Sequence, residues 1–513
     1  MKNFVLFAFA SIILISCGKS IDKNSFEGRV ASVISDFDGV VLAVSGDLKS
    51  IIEKSGIQNG VLPAQYEATI KPYVEALTAS INLEKPVFMM PMGSLSDNLG
   101  SGEFLVMFDV KDVERLKKEF KEMGFNLSKG KDVEFAVRGR EAVGIYKGET
   151  GFVVMMERSE KLNENYINQL TKSMSAGKTV DGVVDYMAVK ADMTMFFTGD
   201  KSQKLETSGM KELDEIAQKM SSLSKGTYWI AQMSFNDQEA VMTADFNYGK
   251  NLKKYMPMMG DALSEEAMAV IADENTFAVY AFNSQFEKAF SMIMDNLDEK
   301  TKAEMDKSLS MVGGMDKFKT MFTGEFAVAM ASGTEDMNVS AFLGIGDKKQ
   351  VQSLMDGFGM FVGLKKSGNG YEMDGNRLEF NDKGLMFTTN VEAMNQLKAS
   401  KKSLSKQFGD FKFGSTPVSI FVDFQKMPKV KDFEDFAEAF KFFEFMTMSM
   451  DNNSAKMVFK SNKPNQNVLR TLIEAGLEMQ RLEEIRQEKR AQEFEEMWGS
   501  WDDEDWDEEE WEF

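Results

Sequence analysis

The side chains able to do chemistry here are restricted at the outset, because the chain has no histidine and a single cysteine, Cys17. That excludes an intrachain disulfide, a Cys or His zinc site, a Ser-His-Asp or Cys-His nucleophile and haem held by imidazole or thiolate. Catalysis would fall to carboxylates, Lys, Ser or Tyr. Ser20-Ile-Asp-Lys23, Ser96-Asp97-Asn98 and Lys366-Ser367-Gly368 stand in the order of a serine acyl-enzyme. In such an enzyme the Ser opens a packed helix so that a Lys one turn later can activate it. Ser20 instead stands three residues from Cys17, and further Ser-x-x-Lys copies at Ser208, Ser222 and Ser403 follow from abundant Ser and Lys. The pairs Asp36/Asp38 and Glu372/Asp374 have the residue types of a glycosidase acid and base. Among 81 acidic residues such pairs arise constantly, and they read as solvated turns. Neither has the spaced oxygens and terminal Glu of a calcium loop. No catalytic residue, metal ligand or cofactor is assigned.

Methionine is abundant at 40 residues, with clusters at Met89, Met90 and Met92, at Met256, Met258 and Met259, and at Met446, Met448 and Met450. Thioethers are soft ligands suited to monovalent copper. Methionine is also a flexible filler of irregular cores. Because these residues share strands with Phe, core packing is the favoured reading, with an adaptable hydrophobic binding surface and copper handling as alternatives.

Cys17 carries the clearest assignment. Lys2, the apolar run Phe4 to Ile15 and Leu14-Ile15-Ser16-Cys17 form a signal too short for a spanning helix. The tetrad resembles the lipobox of bacterial lipoproteins, which implies cleavage after 16, a diacylglyceryl group on the sulfur and an acyl chain on the amine. At about 0.8 kcal/mol per buried methylene, two or three chains make a lasting membrane anchor. Residues 17–35 are expected to form the lipidated Cys and its tether. Beyond Cys17 no run approaches eighteen apolar residues, so the remainder reads as a body outside the bilayer. Gly18 is not the Asp that commonly signals inner-membrane retention in such lipoproteins, so the expected location is the cell envelope at the outer membrane, on either face. The net charge of −21 argues against nucleic acid and against anionic lipid surfaces.

The elements that must position these residues recur. Glu103 to Asp109 leads into a helix with Val113, Leu116 and Phe120, and Val339 to Asp347 leads into Val351, Leu354 and Phe358 at identical spacing from the Asp. The Asp is placed to cap each helix. Hairpins at Ile145 to Met155 and at Leu378 to Phe387 follow. The strands Met195 to Phe197 and Val418 to Val422 come next. Met233, Asn236-Asp237, Ala240 and Met242 then match Met448, Asp451-Asn452, Ala455 and Met457. At the front, Val40 to Val44 corresponds to Phe277 to Phe282. The expectation is a duplicated α+β chain: two tandem repeats of mostly antiparallel sheet with helices on one face, over 36–250 and 275–463, joined by a connector over 251–274. A groove between the repeats is the default ligand site.

The lipobox, Val40-Val-Leu-Ala-Val44 and Asp47-Leu-Lys-Ser-Ile-Ile-Glu-Lys-Ser-Gly56 together resemble the start of large exported lipoproteins of Bacteroidetes-type bacteria, grouped under a domain of unknown function. The resemblance implies an envelope lipoprotein with duplicated domains and brings no catalytic residues.

The end of the chain differs in composition. Residues 464–497 read as a helix whose first half docks on the second repeat and whose second half is solvent-exposed. In 498–513, Trp498, Trp501, Trp506, Trp511 and Phe513 sit among nine acidic residues between Asp502 and Glu512. Dense like charge predicts disorder in isolation. As a site, the tail offers aromatic anchors and carboxylates to a basic protein partner. The alternative is a solubilising terminus. Function therefore reads first as non-enzymatic binding or scaffolding by a lipid-anchored envelope protein. A carboxylate-based hydrolase between the repeats and a Met-based metal or hydrophobic-ligand carrier are the alternatives.

Overall fold

The computed structural model describes residues 21–37, 39–57, 60, 75, 78–92, 103–156, 162–199, 222–269, 275–310, 313–332, 337–359, 363–389, 411–427, 438 and 440–499. Among them are twenty strands in one antiparallel sheet. The first ten are β1 (Leu42–Gly46), β2 (Val87–Pro91), β3 (Phe104–Asp109), β4 (Ser128–Lys129), β5 (Val133–Arg138), β6 (Glu141–Tyr146), β7 (Thr150–Met155), β8 (Met193–Thr198), β9 (Tyr228–Phe235) and β10 (Glu239–Asn247). The second ten are β11 (Thr276–Asn283), β12 (Phe322–Ser332), β13 (Met337–Ile345), β14 (Lys365–Ser367), β15 (Gly370–Met373), β16 (Asn376–Phe380), β17 (Gly384–Thr388), β18 (Val418–Asp423), β19 (Phe443–Met450) and β20 (Ser454–Ser461).

The pairings give the order β4-β5-β6-β7-β3-β2-β1-β8-β9-β10 in the first half and, running on from β10, β20-β19-β18-β11-β12-β13-β17-β16-β15-β14 in the second. Each strand of one half has its counterpart ten strands later, in mirrored order about the β10–β20 pair. That pair joins the halves, with Met242 opposite Met457, Ala240 opposite Phe459 and Ala244 opposite Ala455. The matched residues Met242 and Met457 thus face each other across an approximate twofold axis. This seam corrects the expectation of a groove there: the repeats meet edge to edge through a strand ladder. The outer edges, β4 and β14, are two and three residues long and carry Lys129, Lys365 and Lys366, which discourages further strand addition.

Nine helices matter here: α1 (Phe26–Asp36), α2 (Leu48–Ser55), α3 (Val113–Glu122), α4 (Glu164–Ser175), α5 (Val183–Ala188), α6 (Phe286–Asp295), α7 (Met315–Met321), α8 (Lys348–Gly359) and α9 (Val468–Gly499). On the backed face of the first repeat α1, α4 and α5 bury Val30, Ile34, Ile167, Leu170 and Tyr186 against Phe88, Leu105, Phe152 and Phe196. In the second repeat the corresponding core packs Leu263, Ala267 and Phe413 on Val279, Ala281, Phe342 and Phe421. The main cores fit helices on one face, while α3 and α8 add a flank to the opposite face, with Leu116 and Phe120 on Val143 and Ile145, and Val351 on Leu385 and Phe380.

Three expectations change. Of the tether expected over 17–35, residues 26–36 are α1, which is capped by the Ser25 side chain on the Gly28 amide and lies in the first core. Its Arg29 is buried, bonded to Thr150 Oγ1 at 3.0 Å and to Glu149, so the segment cannot leave without stranding a charge. Asp347 caps α8 through the Gln350 amide as expected. Asp109, however, accepts from Asn82, and Asp112 caps α3 through the Arg115 amide, because the first turn of α3 begins three residues later. Finally, α9 docks on both repeats. Val468 and Ala475 share a core with Phe235 and Ala240 of the first repeat and Phe424 and Phe443 of the second. The Asn467 side chain donates to the Phe235 carbonyl at 3.0 Å, and the Val468 amide to the Asn236 carbonyl at 3.1 Å.

Candidate functional site

Residues directly opposite in neighbouring strands project from the same side of a sheet. The registers therefore bring Met193, Met233, Met242, Met457 and Met448, from β8, β9, β10, β20 and β19, into one row across the seam. Ile420 and Tyr280 continue it into the second repeat. The next row is Met195, Ala231, Ala244, Ala455, Met450 and Val418. Beyond it Phe197 stacks on Trp229 at 5.7 Å, and Trp229 stands opposite Phe246. From β7 through the seam to β17, no paired position on this side is charged.

Parts of this side are covered: Phe459, Met446 and Val422 pack under α9 with Met193 and Met233, while Val106 and Val153 lie under α3 and Leu343 and Leu385 under α8. The five methionines of the row are half-buried, and Tyr280 and Met89 on the same side are 44% and 41% exposed. An apolar surface of flexible thioethers and aromatic rings adapts its shape to a partner. Fully burying one such side chain contributes roughly 1.5–3 kcal/mol, so covering even the half that remains open at several of them is a substantial driving force.

The sequence clusters of methionine are split by the strand period. Met90 and Met92 are buried while Met89 is on the open side, and Met256, Met258 and Met259 are half-buried in the connector. Only Met448 of the row belongs to a cluster visible in sequence. The others lie far apart in the chain, and register alone assembles them. Among the described residues no group of three or more Asp, Glu, His or Cys could hold a metal ion.

The carboxylates are engaged structurally. Asp36 accepts from Ser173 Oγ at 2.9 Å and pairs with Lys178. Glu372 accepts from Ser367 Oγ at 2.9 Å and pairs with Arg377. Lys366 pairs with Asp356 at 3.2 Å. Asp38, Ser20 and Ser96 to Asn98 lie outside the described residues. Asp192, which the sequence did not single out, is held by three donor residues. It accepts from Lys54 Nζ at 2.6 and 2.7 Å, from Ser50 Oγ at 2.5 Å and from the Phe235 amide at 2.6 Å. Burial alone would push Asp192 up, but the bonds from Lys54, Ser50 and Phe235 outweigh it and hold the carboxyl below its usual range. Hydrogen bonds from the Thr301 hydroxyl and amide push Asp298 down to about 2. Lys383 lowers Glu266 likewise. These directions are opposite to what a general acid needs.

Of the tail, Trp498 lies in the last turns of α9, while Trp501, Trp506, Trp511 and Phe513 lie outside the described residues, as does Cys17. What is described is the support for the tail. From Gln480 to Phe494 the α9 side chains are exposed apart from half-buried Leu482. No helix among the described residues is long and apolar enough to cross a membrane.

No protein family matches this chain, and no curated protein is similar to it. Among solved structures it is similar to crystal forms III, IV and I of TP0453, at 10%, 9% and 8% identity and TM-scores of 0.26, 0.27 and 0.20. These cover 43%, 45% and 72% of this chain and 80%, 85% and 96% of the other. Likeness at that level carries no argument about fold or function.

Proposed function

We propose that this chain is a lipid-anchored protein of the cell envelope, attached at the outer membrane through Cys17, that binds or scaffolds a basic protein partner without catalysing a reaction. The observation that carries the reading is the uncharged, methionine-rich side of a sheet that runs unbroken through both repeats. Joining two halves by a strand ladder makes one long surface across the seam, which suits assembly better than chemistry. Two further features support it. Cys17 stands four residues before Ile21, which already packs on the first core, so at about 3.5 Å per residue the anchor lies within roughly 14 Å of the body. At the other end, residues 480–499 of α9 form about 30 Å of helix beyond the docked part. That arm leads into the acidic, tryptophan-rich tail. A partner with an apolar centre and basic rim would meet both surfaces of a chain whose net charge is −21.

The test is affinity capture from detergent-solubilised envelopes with the full chain, a version ending at Met497 and the double variant Met242→Lys/Met457→Lys. We expect a partner recovered by the full chain at low salt, lost by the truncation and weakened about tenfold by the lysines. Recovery of the same proteins by all three overturns the binding surfaces. Mass spectrometry finding Cys17 unacylated overturns the anchor separately.

A further inference from the structure

On the backed face of the first repeat, between α1, β1, β8 and the loop before β8, lies a cavity of about 680 Å³, a volume typical of small-molecule sites. Phe88, Tyr186 and Thr194, all buried, are among the residues lining it. The Tyr186 hydroxyl is buried with no hydrogen bond that meets full geometry, and the hydroxyl of Ser45, another lining residue, is its polar neighbour. Burial raises the Tyr186 pKa, so the group keeps its proton and stays a donor. Leaving such a group poorly paired is costly, and an acceptor brought into the cavity removes that cost.

The charges around the cavity divide unevenly. Glu27 pairs with Lys85, Asp192 with Lys54 and Glu84 with Lys49. Lys190 and Asp47 pair neither with each other nor with any charge within ion-pair distance among the described residues, although Asp47 caps α2 through the Ser50 amide. They are held near each other because the Asp47 amide donates to the carbonyl of Asp192 at 2.9 Å, two residues after Lys190. A cation and an anion without an ion pair among the described residues, and a buried hydroxyl donor, thus line the same cavity, with Phe88 and Met187 supplying apolar wall.

We propose that this cavity binds a small zwitterion, an amino acid or dipeptide with free termini, its ammonium at Asp47, its carboxylate at Lys190 and the Tyr186 hydroxyl, and its side chain against Phe88 and Met187. The site is independent of the sheet surface proposed above, so either can fail alone.

The test is calorimetric titration of the mature full-length chain in detergent with L-leucine, L-tyrosine and leucyl-tyrosine. N-acetyl-leucine, leucinamide and O-phosphoethanolamine are the controls. We expect binding of at least one of the first three, and roughly tenfold weaker binding when either terminus is blocked. Lys190→Met is expected to weaken binding by a similar factor, and Tyr186→Phe by about fivefold with thermal unfolding unchanged or raised. Absence of binding by all three probes, equal binding of a blocked compound, or preference for O-phosphoethanolamine overturns the assignment. Unchanged affinity in Tyr186→Phe overturns the role of its hydroxyl.

Discussion

The two repeats share a strand order and differ in what each places at one shared position. In the first, the Asp47 amide donates to the carbonyl of Asp192; in the second, the Asn283 amide donates to the carbonyl of Pro417 at 2.7 Å. The same backbone closure therefore carries a carboxylate in one repeat and an imino acid in the other. Around Asp192 the structure collects Ser50, Lys54 and the Phe235 amide. In the second repeat the helix after β11 instead puts Phe286 and Phe290 with Phe318 and Phe322, ring centres 5.6 to 6.2 Å apart. The two repeats share the scaffold and differ here, one having a polar centre beside a cavity and the other an aromatic cluster. The functional asymmetry of this molecule lies between its halves.

The two repeats depend on each other most at the seam. Thr243 of β10 is opposite both Gln232 of β9 and Lys456 of β20. Thr243→Pro removes a ladder hydrogen bond from an internal strand and is expected to cost about 3 kcal/mol or more. Urea unfolding followed by circular dichroism should then separate into two transitions as the repeats lose their shared ladder. A single transition with an unchanged midpoint would mean that the β10–β20 pair does not unite them.

Replacing the two counterpart residues sharpens the contrast. Asp192→Ala strands Lys54 and the Phe235 amide and is expected to destabilise by about 3 kcal/mol. Pro417→Ala, which removes no side-chain acceptor, should cost less than about 1 kcal/mol. Urea midpoints of the two variants measure the difference. The pH dependence has a fixed sign. The folded pKa of Asp192 is lowered, so its contribution is fully present above the unfolded value near 4 and is lost as pH falls through the folded value. Between about pH 5 and 3 the parent should therefore lose stability more steeply than Asp192→Asn, and parallel curves would refute the hub.

Much of the scaffold is legible in sequence because its signals are local. The hairpins around Gly148 and Gly384, the turns at Asn236 and Asp451 and the amphipathic α8 rest on alternation, turn residues and steps of three and four. The candidate surfaces are much less so. Asp192, the α2 pair Ser50 and Lys54, and Phe235 come from three segments, and the methionine row from five strands; only the fold joins them. Phe26, Val30, Val33 and Ile34 do mark a helical face in α1, a local signal that the adjoining lipid signal and its expected tether overlap. The cap of α3 shows a different limit. Asp109 and Asp347 match in spacing, yet Asp112 is a nearer competitor that only the first copy has.

The smallest expected effect tests whether the two centres act independently. Phe290 is half-buried in the second-repeat cluster, so Phe290→Ala forfeits part of the 3–5 kcal/mol typical of a buried ring, about 2 kcal/mol. It should leave amino-acid binding by the first-repeat cavity unchanged, because no ring of the cluster lines that cavity. Combined with Asp192→Ala, the two costs should add to within about 0.5 kcal/mol, as they do for sites that share no partner. The separating elements argue for additivity: β8, β9, β10, β20, β19 and β18 stand between β1 and β11 in the sheet. Coupling well above that value would mean that the ladder transmits strain from one copy to the other, and the repeats would then be one cooperative unit in spite of their different centres.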